Sequence, residues 1–117
     1  MTPFGERIRA LRAQRGITLK DMAADLAISA AYLSALEHGK RGQPSPMLVR
    51  QICDYFGMIW DEADALQRLA DLSHPRVAVD TAGLSPAATL LANRLAECIR
   101  RLPEAKIARL LEVLDGE

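Results

Sequence analysis

Apolar positions recur at helical spacing from the start of this chain, and five amphipathic segments follow one another before the pattern breaks. Phe4, Ile8 and Leu11 fall at i, i+4 and i+7 and mark one buried stripe, while Arg7, Arg9, Arg12 and Arg15 take other faces. Thr2-Pro3 reads as a helix start, with threonine as N-cap and proline in the first turn, and Gly16 as the stop. The second segment opens at Thr18, with Asp21 three residues on, and carries Leu19, Met22, Ala23 and Leu26 on one side. Ala27-Ile28 forms a turn. Ser29 then caps a third helix, over about residues 29–38, whose inner residues are Leu33 and Leu36. Gly39 ends it, and Lys40-Arg41-Gly42-Gln43-Pro44 is a loop. Ser45-Pro46 opens a fourth helix with Leu48, Val49, Ile52, Cys53 and Phe56 in the core, closed by Gly57. A fifth runs from Trp60 or Asp61 to about Leu72, with Ala65, Leu66, Leu69 and Leu72 on one side.

The helical period stops at His74. The stretch HPRVAVDTAGLS holds one proline and one glycine, and its Val77–Val79 alternation leaves a short strand and an extended linker both open. Ser85-Pro86 repeats the cap-then-proline signal, and Leu90, Leu91, Leu95, Cys98, Ile99 and Leu102 follow at helical spacing. Pro103 restarts a last helix with Ile107, Leu110, Leu111 and Leu114 in line. The chain therefore reads as all-α, in two parts. Residues 1–73 form a five-helix domain, and residues 74–117 form a linker with a two-helix tail.

Composition narrows the function. The formal charge of the 117 residues sums to zero, but residues 1–57 hold eight Lys/Arg against five Asp/Glu, and residues 58–117 hold seven against ten. A basic front and an acidic back suit a nucleic-acid-binding part joined to a partner-binding part. Cys53 and Cys98 lie far apart within predicted helices and read as reduced core residues, and neither is spaced with His38 or His74 as a zinc site requires. No apolar run spans a bilayer and the N-terminus lacks a signal-peptide core, so a cytoplasmic protein is expected. The sequence offers no nucleophile–base set, paired catalytic carboxylates or phosphate loop. No enzyme, cofactor, metal or small-molecule ligand is expected.

The stretch TLKDMAADLAISAAYLSALEHGKR meets the steric requirements of a helix-turn-helix. Ala23 is small where the two helices cross, Leu26 and Ile28 hold the angle on either side of the turn, and Leu33 and Leu36 face inward from the third helix. With its flanks, GITLKDMAADLAISAAYLSALEHGKRGQPSP resembles the phage-repressor/Cro-like (XRE) family, over residues 4 to 72 or so. The resemblance implies a lambda-repressor-like domain whose third helix lies in the major groove of double-stranded DNA. It places Ala30, Ala31, Tyr32 and Ala35 toward the bases. It places Ser34, the Lys40-Arg41 loop and the start of the second helix, Thr18 to Lys20, toward phosphates. It also pairs Arg12 with Glu37. It implies a bacterial or phage-encoded regulator, associated with the nucleoid when bound.

The chain departs from the family at three places. Ala27 replaces the usual turn glycine, Leu19 the usual glutamine, and the reading face is three alanines and a tyrosine. Specificity is therefore expected to lean on Tyr32, the Lys40-Arg41-Gln43 loop and DNA shape. Arg9, Arg15, Lys20, Lys40, Arg41 and Arg50 are the candidate phosphate-binding cations. The tail holds more apolar side chains than a short hairpin can bury alone. Leu90, Leu91, Leu95, Ile99, Leu102, Leu110, Leu111 and Leu114, with Val77 and Val79, are the candidate dimer contacts. Packing on the fifth helix is the alternative. The expected function is a sequence-specific transcriptional regulator, a homodimeric repressor. The competing reading is a protein-interaction module, an antitoxin or anti-regulator, that holds a partner with the acidic tail.

Overall fold

A computed structural model describes residues 1–40 and 42–116. The fold is all-α, and no strand occurs among the described residues. In chain order the helices are α1 (Pro3–Arg15), α2 (Leu19–Asp25), α3 (Ala30–Glu37), α4 (Pro46–Phe56), α5 (Asp61–Asp71), α6 (Pro86–Cys98) and α7 (Glu104–Asp115), with a 3₁₀ turn at Ile99–Arg101. They divide into two compact units, Met1–Val77 and the segment from Ala78 onward.

Helix starts follow directly from the sequence. The hydroxyls of Thr2, Thr18, Ser29, Ser45 and Ser85 accept from the backbone N–H of Gly5, Asp21, Tyr32, Leu48 and Ala88 in turn. Each such cap contributes about 1 kcal/mol by satisfying an orphan donor. The ends of α1, α3 and α4 share one device, in which two consecutive N–H groups turn back to carbonyls of the last turn. Gly16 and Ile17 close α1 on Ala13 and Arg12. Gly39 and Lys40 close α3 on Leu36 and Ala35, and Gly57 and Met58 close α4 on Asp54 and Cys53.

The core of the first unit joins all five of its helices. Phe4, Ile8 and Leu11 of α1 meet Met22 and Ala23 of α2, Leu33 and Leu36 of α3, five residues of α4, and Leu66 and Ala70 of α5. The expected inner residues of α1 to α4 are buried, apart from the half-buried Leu19 and Leu26. The stripe on α5 differs from expectation. Ala63, Leu66 and Ala70, at i, i+3 and i+7, set the inward line, and Ala65 and Leu72 stay exposed. Leu72 falls just past the helix end, so the stripe passes instead to the buried Ser73. Its hydroxyl accepts from the Phe4 N–H at 2.9 Å and donates to the Leu69 carbonyl, joining the two ends of the unit.

Val77 and Val79 are exposed and form no strand. In the second unit no helix residue is fully buried, and Leu90, Leu91, Leu95, Ile99, Leu110, Leu111 and Leu114 are 41–65% exposed. Leu102, Ile107 and Cys98 are half-buried there. Cys53, by contrast, lies in the core, where burial and then the neighbouring Asp54 carboxylate push its thiol pKa up. Both cysteines are free.

Candidate nucleic-acid interface

The site is built around α3, and three features decide how that helix is presented. The first is the turn before it. Ala27 adopts φ 58°, and its N–H and that of Ile28 return to Ala24 and Ala23, at 3.1 and 3.0 Å. This is the same closure that α1, α3 and α4 make with glycine, made here with alanine. A Cβ in this left-handed geometry costs about 1–2 kcal/mol, partly offset because glycine loses more backbone entropy on folding. Ala27→Gly is therefore expected to stabilise the domain by about 0.5–1 kcal/mol. A thermal melt that fell rather than rose by a few degrees would show that the turn tolerates its Cβ without strain.

The second feature is a clasp between α1 and the far end of α3. The Arg12 guanidinium reaches both Glu37 carboxylate oxygens from one nitrogen, at 3.0 and 3.1 Å, and Glu37 is 2% exposed. The Glu37 backbone carbonyl accepts from the Thr2 N–H at 3.1 Å. Gly5 packs so closely on the Glu37 backbone that no side chain fits between them. The third feature is a second tie below the motif, where the Tyr55 hydroxyl donates to Asp25 at the end of α2, at 2.9 Å.

These supports bury Leu33, Leu36 and Glu37 and leave the opposite side of α3 to solvent. Ala31 and Tyr32 are exposed there, Tyr32 at 37%. Ala35 and Ser34 are half-buried at the margins, and Ala30 leans on the core. His38 is also exposed, at the last turn. Its Nδ1 donates to the Ser34 carbonyl at 2.9 Å, which leaves Nε2 free to face outward. Sequence reading overlooked His38, although i, i+3, i+7 spacing from Ala31 through Ser34 puts it on the same side.

Thr18 and Lys20 are exposed at the start of α2, and Lys40 and Gln43 are exposed after α3. Arg41 lies outside the described residues. Arg50 is exposed on α4, where it lines a groove with residues of α4 and α5. Arg15, also exposed, is tied within the chain. It donates to the Phe56 carbonyl at 2.7 Å and stacks its guanidinium 5.3 Å from the Phe56 ring centre, capping α4. A cation near a helix C-terminus meets the orphan carbonyls and the negative end of the dipole, which sequence spacing alone does not reveal.

A family model described as a helix-turn-helix domain matches residues 3–66, which is α1 through most of α5. The chain belongs to the helix-turn-helix domain family, of the XRE-like kind that its sequence resembles. The chain is similar to the HTH-type transcriptional repressor RghR of Bacillus subtilis, 41% identical over 54 residues, or 46% of this chain and 40% of that protein. It is also similar to the HTH-type transcriptional regulator DdrOP3 of Deinococcus deserti, 43% identical over 53 residues, 45% of this chain and 40% of that one. The chain thus spans about two fifths of the length of these curated relatives. No solved structure matches it.

The helix-turn-helix unit holds its motif as the family resemblance implies, with Ala23 buried at the crossing and the Arg12–Glu37 pair formed. Among the described residues no group of three or more His, Cys, Asp or Glu is placed to hold a metal. No helix is long and apolar enough to cross a membrane.

Proposed function

We propose that the chain is a sequence-specific regulator of transcription that binds double-stranded DNA as a homodimer, with α3 in the major groove, and acts as a repressor. The observation that carries this reading is the outward, uncovered side of α3 at Ala31 and Tyr32, on a helix fixed from behind by the Glu37 clasp. The names of the relatives support the regulatory role. Base contacts fall to Ala31, Tyr32 and Ala35, with Ala30 at the edge. Phosphate contacts fall to Thr18, Lys20, Ser34, Lys40, Arg41, Gln43 and Arg50.

Lys40→Ala is expected to weaken binding to unrelated sequences alike and to lower the slope of log affinity against log salt by about one. An unchanged slope, measured by fluorescence anisotropy across a salt series, would remove Lys40 from the phosphate set.

The tail supports the dimer. A helical pair whose leucines and isoleucine remain 41–65% exposed buries them on association. Reading two half-sites one turn of DNA apart requires the two third helices about 34 Å from each other. In sedimentation the full chain is expected to run as a dimer, and a chain ending at Val77 as a monomer that binds a full site poorly. A dimeric fragment would move the interface into the first unit. The same exposed tail also favours the second reading, an interaction module, which gains if the full chain stays monomeric and binds no DNA.

A further inference from the structure

We infer that α3 reads the C5-methyl groups that line the major groove, those of thymine and of 5-methylcytosine, in place of base hydrogen-bonding edges. The inference rests on the reading that α3 enters that groove, and it names what the helix finds there. The exposed side chains on its outward side over the first two turns are Ala31 and Tyr32, with Ser34 and Ala35 half-buried at the margins. Both alanines end in a methyl group, and Tyr32 is an aromatic ring with a single hydroxyl.

Bidentate recognition of guanine, adenine or cytosine needs a guanidinium, amide or carboxylate, and those groups lie elsewhere in the unit. Arg12 and Glu37 are locked to each other, Arg15 is held on Phe56, and Lys20 and Lys40 flank the helix without belonging to it. Short side chains also let a helix backbone sit deep in the groove. At that depth an alanine methyl or the edge of a tyrosine ring meets the methyl of a pyrimidine, the apolar feature of the groove floor. Thymine and 5-methylcytosine present that methyl at the same ring position, so a face of this composition recognises the methyl and tolerates the exchange.

The test uses the full chain and the duplex it prefers, selected from a random pool. Each thymine of a half-site is replaced in turn by deoxyuridine, which removes only the methyl. Affinity is expected to fall about fourfold at each contacted position, as burial of one methyl-sized group implies. At those positions a 5-methylcytosine·guanine pair should bind more tightly than cytosine·guanine by a similar factor. Ala31→Ser and Ala35→Ser, which keep the helix, should each shrink the thymine-to-uridine effect at one position. Indifference to uridine at every thymine, or a preferred half-site without thymine, would overturn the inference while leaving DNA binding intact. A uridine effect that none of Ala31→Ser, Ala35→Ser and Tyr32→Ala alters would place the methyl sensitivity in DNA shape and would also overturn it. A chain that selects no preferred duplex would instead sink the DNA-reading proposal on which this one rests.

Discussion

Glu37→Ala is expected to destabilise the helix-turn-helix unit by about 3–5 kcal/mol, the usual consequence of removing one partner from a buried ion pair. The wild-type pair does not owe its place to a large net contribution, since burying both charges costs nearly as much as their attraction returns. The loss comes from what remains. The Arg12 side chain is 13% exposed, and without the carboxylate its guanidinium is left largely buried with no counter-charge. Its Nε already lacks a hydrogen-bond partner among the described residues, so the site has no spare acceptor to take over. Replacing both residues, as Arg12→Met with Glu37→Leu, should recover most of the loss. Urea denaturation of the three variants checks this. A cost below about 1 kcal/mol for Glu37→Ala would mean that water reaches Arg12 and that the clasp contributes like a surface pair.

The second large effect is expected at Gly5. In the middle of an exposed helix, Gly→Ala stabilises by about 0.5–1 kcal/mol because glycine has more backbone freedom to lose. Gly5 should show the opposite sign. A Cβ there would collide with the Glu37 carbonyl oxygen and lie 2.5 and 2.6 Å from the Glu37 Cα and carbonyl carbon. These are backbone atoms, which cannot rotate aside. Either α1 shifts from α3 or the end of α3 unwinds, and both loosen the Thr2 and Arg12 contacts to the same residue. A net loss at or above the upper end of the 1–3 kcal/mol typical of overpacking is expected. A raised melting temperature for Gly5→Ala would show that α1 and α3 are not held at this distance. The two variants converge on one conclusion, that the direction of α3 is set by α1 through Glu37.

Much of this was visible in the residues alone, and the reason is locality. Caps and stops act within four residues, so the Thr2, Thr18, Ser29, Ser45 and Ser85 starts and the Gly16, Gly39 and Gly57 ends could be read directly. The inner stripes of α1 to α4 were legible because helical periodicity is a local rule. The stripe on α5 was misread because several apolar registers compete on a short alanine- and leucine-rich helix, and contact with α1 and α4 chooses among them. Nothing local announced the φ of 52° at Trp60, the 81% exposed residue that precedes α5, a backbone geometry that sequence preference argues against.

The sequence by itself determined the five-helix order, the helix-turn-helix spacing and the alanine-rich character of its outward side. Only the tertiary structure decided which polar groups are free to meet a partner. Arg15 and Arg50 look alike as surface cations until Phe56 is seen to hold Arg15. Gly5 and Ser73 look unremarkable until the chain brings Glu37 and Phe4 against them. Those assignments depend on residues up to 69 apart in sequence, and no local pattern encodes a neighbour at that distance.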